Sequence, residues 1–197
     1  MKRIAPAAER NTAPILEVLG RFVPEAGLLL EVASGTGQHA VAFARAFAGL
    51  TVQPTEPQAA GRESIEAHRV EAGLENLLPP LDLDVTHSEW PVARADVLVA
   101  INMVHISPWA ATQALMAGAG RVLPPGGVLY LYGPYLVDGE PTTESNRTFD
   151  ASLRMRDPRW GIRDLQVVTD EAAGHGLERV DVVPMPANNF SVVFRRR

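Results

Sequence analysis

The stretch that decides the fold is "LLLEVASGTGQHAVAF", residues 28–43. An apolar run of strand length meets a glycine loop, and a helix of small residues bearing Phe43 follows. This order, strand then Gly loop then helix, opens a parallel α/β sheet. The odd residue is Glu31. A carboxylate at the end of a buried strand is costly unless something bound there wants it.

Working outward, the pattern repeats. Apolar strand signals occur at 50–56, near 79–84, at 95–104 and at 128–133, with amphipathic helical segments at 61–73 and from about 107 to 121 between them. Thr12 reads as the cap of a helix with Pro14 in its first turn, Ser107 as the cap before Pro108, and Thr169 as the cap of a helix over 169–175. The last two strands, 177–183 and 190–196, are joined only by "PMPANN". That link is too short for a helical crossover, so the final strand is expected to run antiparallel. The expected architecture is α/β: a doubly wound, seven-stranded, mostly parallel sheet with an antiparallel last strand, in one domain over 1–197. Residues 134–164 interrupt the alternation after strand five. A polar segment of that length is expected to act as a lid or substrate-binding insertion.

Composition narrows the function. A net charge of −5 opposes a protein that coats nucleic acid. Cysteine is absent, which excludes disulfides, thiolate nucleophiles and Cys-based metal sites and fits a cytoplasmic chain. The N-terminus lacks the apolar core of a signal peptide, and no run is long enough to span a membrane. The five histidines, at 39, 68, 87, 105 and 175, show no metal-ligand spacing, so no metal is expected.

"GTGQHA" (35–40) fits the G-x-G-x-x-[GA] fingerprint, and Glu56 follows at a distance suited to a ribose. Two cofactors suit such a loop. A nicotinamide dinucleotide would set its pyrophosphate against the helix N-terminus, where Glu31 would repel it. S-adenosylmethionine (SAM) carries an ammonium and a sulfonium, which Glu31 would attract. Glu56 and Asp84 end the next two strands, suited to ribose hydroxyls and to the adenine amine, with Leu83 and Val85 as apolar walls. In open α/β sheets ligands lie over these carboxyl ends.

With these features in place, "EVASGTG", the acids at 56 and 84 and the antiparallel last strand resemble the class I SAM-dependent methyltransferases. "AAERNTAPIL", "ASGTGQHA", "NMVHISPW", "GPYLVDG", "TESNRTFDASLR", "DPRWGIRD" and "PMPANN" resemble, more narrowly, a methyltransferase-like family of bacteria and vertebrates that includes methyltransferase-like protein twenty-six. The resemblance implies cofactor binding through Glu31, Gly35, Gly37, Glu56 and Asp84, with S-adenosylhomocysteine (SAH) as product; from their positions Ala33 and Val85 are expected beside the cofactor and the Asn102 carbonyl at its methionyl end. It implies no substrate. Ala33 departs from the pattern, since it stands where the loop's first glycine is usual.

Methyl transfer needs alignment, exclusion of water and removal of a proton. His105, past strand four, is either a base or a packed residue. Trp109 either walls the substrate or buries against the sheet. Asn146, Asp150 and Arg154, spaced by four on one helical face, either read a polar or anionic substrate or form an internal lattice. Tyr135 and Trp160 in the insertion, Asn188 in the last turn, and Arg10 and Asn11 ahead of the first helix complete the substrate candidates; capping serves Asn11 equally well. The expected function is methyl transfer to a small polar acceptor, with no nucleic-acid partner. The rivals are an NAD-linked oxidoreductase and a cofactor-binding regulatory protein without turnover.

Overall fold

Alternating burial on two faces organises the chain. In the computed structural model, which describes residues 1–197, strands β1 (Gly27–Val32), β2 (Leu50–Pro54), β3 (Val97–Ile101), β4 (Val128–Gly133), β8 (Leu177–Met185) and β9 (Asn189–Arg196) form one sheet in the order β2-β1-β3-β4-β9-β8. Along β3, Leu98 and Ala100 enter one core while Val97, Val99 and Ile101 enter the other. β4 repeats this with Leu129 and Leu131 against Val128, Tyr130 and Tyr132. Near-continuous apolar strands are what a sheet covered on both sides requires.

Helices α1 (Pro6–Leu19) and α2 (Gln38–Ala46) bury Ile15, Leu19 and Phe43 on one face. Helices α4 (Trp109–Val122) and α6 (Leu165–Gly174) bury Leu115, Met116 and Val168 on the other. Helix α3 (Ala59–Ala72) packs beside α2. No helix is long and apolar enough to cross a membrane. β9 runs antiparallel to both β4 and β8, as the six-residue link demanded.

The sheet has six laddered strands rather than seven. Residues 77–81 lie alongside β2 but pair through only two isolated bridges, Val52 with Leu77 and Thr55 with Leu81. Pro79 and Pro80 have no N–H to donate, so the ladder breaks between Leu78 and Leu81, each of which donates to β2. The buried Gln53 side chain fills the gap, donating to the carbonyls of Pro79 (2.8 Å) and Pro54 (3.0 Å).

Three helix starts also differ from expectation. α1 begins at Pro6, so Arg10, Asn11 and Pro14 lie inside it, and the Thr12 hydroxyl donates back to the Ala8 carbonyl at 2.6 Å instead of capping. Ser107 donates to Met103, leaving Pro108 as the residue before α4. α6 is capped by Asp164, whose carboxylate accepts from the amides of Gln166 and Val167. Of the three, only α6 thus gains a side-chain cap; α1 and α4 start after Ala5 and Pro108 with none.

The insertion is a unit of its own. β5 (Tyr135–Val137), β6 (Glu140–Pro141) and β7 (Arg163–Asp164) form a small second sheet. Between them α5 (Glu144–Arg156) starts at Thr143, whose side chain accepts from the Asn146 amide.

Candidate active site

The carboxyl end of the main sheet holds a cavity of about 690 Å³. Its position follows from how β1 and β2 end. Thr55 donates both its amide (2.8 Å) and its hydroxyl (2.9 Å) to the Glu31 carbonyl. Ser34 returns an amide bond to the Thr55 carbonyl at 2.8 Å. This latch brings Glu56 to the glycine loop, where the Gly35 amide donates to Glu56 Oε2 at 3.0 Å and the Gln58 amide to Oε1 at 3.1 Å. Gly61 makes the arrangement possible, because a Cβ there would stand 2.5 Å from Glu56 Cγ.

Ala33, Gly35, Glu56, Asp84 and Val85 all line the cavity. Two of them carry local features that matter. Ala33 adopts φ 54°, the left-handed region that an L residue enters at a cost and a glycine does not. Asp84 accepts from the amide (2.9 Å) and hydroxyl (2.7 Å) of Thr86 on Oδ1, which holds its carboxyl below the usual range and leaves Oδ2 available.

The other three cofactor candidates sit outside the lining. Glu31 points into the α1/α2 side of the sheet and is only 2% exposed, with Oε2 lacking any hydrogen-bond partner. Burial pushes its carboxyl up to about 8; the Ser34 hydroxyl opposes this and the charge of Glu56 adds to it. Gly37 is needed for packing instead: at φ 92° a Cβ there would come within 2.8 Å of Ile65 Cα on α3. Asn102, at φ 59°, turns the chain off β3 beside Gly133, in the same left-handed conformation that Ala33 uses off β1.

The remaining candidates scatter. Asn11 is buried in α1, its Oδ1 2.8 Å from His39 Nε2, while Arg10 is exposed. His105 is buried with its ring edge-on to Phe149 (5.6 Å) and close behind Gly133. Burial, helped by Arg163, lowers His105 to about 4, so the ring is neutral at pH 7. Asn146 donates to Thr142 and to the Asn188 carbonyl, tying α5 to the last turn. Asp150 accepts from Arg154 (2.7 Å) and from the Ile162 amide (2.6 Å). The face shared by Asn146, Asp150 and Arg154 is thus engaged with the insertion and the last turn. Trp109 lies under the Arg163 guanidinium, 6.0 Å from its ring centre. Tyr135 is fully buried with an unpartnered hydroxyl, and burial raises its pKa. Trp160 is half-buried and Asn188 exposed.

Several lining residues were not expected at the site from the sequence: Thr36, Gln58, Met103 and Ser107, with Arg3 and Arg159 the most informative. Arg159 reaches the cavity because Arg163 clamps the two segments together. The Arg163 guanidinium donates to the Ser107 carbonyl at 2.8 Å and to the Arg159 carbonyl at 2.6 Å. The "DPRWGIRD" motif carried that signal, though not which of its arginines faces the cavity.

The fold resembles many solved structures. An O-methyltransferase family protein from Burkholderia thailandensis superposes with a TM-score of 0.82 at 15% identity, covering 96% of this chain and 57% of that one. An O-methyltransferase family 2 protein from Planctomyces limnophilus, solved with apigenin, gives 0.81 at 17% identity over 97% and 60%. Human N-acetylserotonin methyltransferase, solved with SAM, gives 0.79 at 14% identity over 96% and 52%. The chain therefore spans a little over half the length of these relatives in structure. Its α/β architecture is the fold that these solved methyltransferases share. Residues 2–196 match one family model throughout, and the chain belongs to the family described as protein of unknown function (DUF938).

Proposed function

We propose that this protein is a SAM-dependent methyltransferase acting on a small molecule. The observation that carries this reading is the bond from the Gly35 amide to Glu56. In a dinucleotide site the loop amides are offered to a pyrophosphate. Here the loop donates to a carboxylate that itself lines the cavity, and a phosphate would meet both its negative charge and that of Asp84.

The residues suit SAM on chemical grounds. Each Glu56 oxygen has one backbone donor and a further lone pair for a ribose hydroxyl. Asp84 Oδ2 would take the adenine amine, between the apolar walls of Leu83 and Val85. Glu31, buried with an orphaned oxygen, would gain a partner from a cationic group reaching it directly or through water. When bound, SAM supplies a methyl on a sulfonium that leaves as SAH, keeping the carbon–sulfur electron pair, while an acceptor lone pair forms the new bond. The chain's part is to align the acceptor and exclude water. As the proposed base, His105 would be neutral and able to take a proton, but weakly, given how far burial lowers it.

The resemblance to the methyltransferase-like family with protein twenty-six, a cytoplasmic setting, one domain over 1–197 and a substrate-facing role for 134–164 belong to the same proposal. The structural relatives solved with apigenin and with SAM support a small-molecule acceptor and this cofactor. The insertion lends Arg159 to the cavity lining, which supports turnover over a regulatory protein whose insertion would block the pocket. Calorimetric titration with SAH and with NADH tests the reading. SAH is expected to bind and NADH is not; binding of NADH alone would sink it.

A further inference from the structure

We infer that the acceptor is an anion, held by Arg3 and Arg159 at the mouth of the cavity. The inference rests on the methyltransferase reading and adds the substrate's charge to it.

Two arginines far apart in the chain line one cavity whose other charged residues, Glu56 and Asp84, are acidic. Arg3 belongs to the segment ahead of α1, which is strapped across α2 and α3. The Arg3 amide donates to Ser64 Oγ at 2.8 Å, its carbonyl lies 2.8 Å from His68 Nε2, and the Ala5 amide donates to Gln38 Oε1 at 2.6 Å. With both main-chain groups taken, the guanidinium is what Arg3 has to offer the cavity. That guanidinium has no hydrogen bond and no carboxylate partner, unlike the neighbouring Lys2, which pairs with Glu71 at 2.6 Å.

Arg159 is held in a fixed pose. Its Nε and Nη2 grip the Asp157 carboxylate at 3.0 and 2.7 Å, its amide donates to Asp157 Oδ1 at 2.9 Å, and its carbonyl is taken by Arg163. Nη1 is left without a partner. A guanidinium oriented by one carboxylate and presenting a free edge is suited to receive a second.

The cavity's own acids do not consume these charges. Glu56 is occupied by two backbone amides and Asp84 by Thr86, and neither forms an ion pair with Arg3 or Arg159. In the same cavity Met103, Ile106, Pro108 and Ala111 provide apolar surface. The acceptor class that fits is a small organic acid with an apolar body. Its carboxylate would anchor on the arginines, and the nucleophilic atom would point toward the glycine loop. The other carboxylate that could use this pair is the one on SAM itself, and the experiment separates the two.

Metabolite extract is separated by anion exchange at neutral pH, and each fraction is incubated with the protein and methyl-labelled SAM. Label is expected in a product made from the retained, anionic fractions. In Arg3→Gln and Arg159→Gln that label is expected to fall at least tenfold while SAH affinity stays within twofold of wild type. Label arising only from unretained fractions would overturn the inference, as would undiminished labelling by both variants. A matching loss of SAH affinity in the variants would assign the arginines to the cofactor's carboxylate and overturn it too. Absence of label from every fraction, or no binding of SAH by the wild type, removes the methyltransferase reading and the inference with it.

Discussion

Glu31 and Glu56 end neighbouring parallel strands and occupy opposite situations. Glu56 lines the cavity with both oxygens bonded to backbone amides, whereas Glu31 lies behind the loop with one oxygen unpartnered. The charge of the first adds to the burial that raises the second. A buried acid that keeps its proton until about pH 8 marks a place where the fold alone is incomplete.

That raised value sets a pH dependence. The folded state holds the Glu31 proton more tightly than the unfolded chain, so stability without ligand is expected to fall as pH rises from about 4.5 to 8. Glu31→Gln is expected to lose this slope and to melt higher than wild type at pH 8. A cation that pairs with the carboxylate reverses the preference. SAH affinity of the wild type is therefore expected to rise between pH 6 and 8, and that of Glu31→Gln to stay flat, in parallel calorimetric titrations.

The histidines work against acid. His39 and His105 are both lowered to about 4 by burial, so they contribute stability above pH 6.5 that is lost as pH falls through 4. His39 in addition shares a hydrogen bond with the buried Asn11. Asn11→Ala is expected to cost about 1–3 kcal/mol by leaving a buried ring nitrogen without its partner. Urea unfolding at pH 7 measures it.

Ala33→Gly tests the loop's departure from pattern. The left-handed conformation at 33 costs an alanine roughly 1 kcal/mol that a glycine avoids. The variant is expected to gain up to about 1 kcal/mol in chemical unfolding, with SAH affinity equal or tighter. Loss of stability would show that the methyl group packs usefully enough to offset its backbone strain.

Arg163→Ala removes the clamp between the loop after β3 and the insertion. Two charged hydrogen bonds and the contact with Trp109 disappear together. A loss of about 1.5–3 kcal/mol is expected. Faster amide exchange at 157–163 than in the main sheet would localise the effect.

The strand ends were legible because their signal is local. Each of the acids at 31, 56 and 84 sits within a few residues of the apolar run it follows, and the short link before β9 left only an antiparallel return. Helix starts were less legible, because Thr12, Ser107 and Thr169 each look like caps although their hydroxyls donate to carbonyls four residues back, at Ala8, Met103 and Leu165. The broken seventh strand was present in the sequence as Pro79-Pro80, but its repair by Gln53 depends on a side chain 26 residues away.

By itself, then, the sequence determined the architecture, the glycine loop and the identity of the acids, since periodicity and turn chemistry are properties of adjacent residues. Only the tertiary structure decided which groups share the cavity. It brought Arg3 and Arg159 to one cavity, turned Gly37 toward α3, set Glu31 behind the loop, tied Asn146 to the last turn, and committed Asp150 and Arg154 to the insertion itself. Those outcomes depend on contacts between segments far apart in the chain, and spacing along the chain carries no record of them.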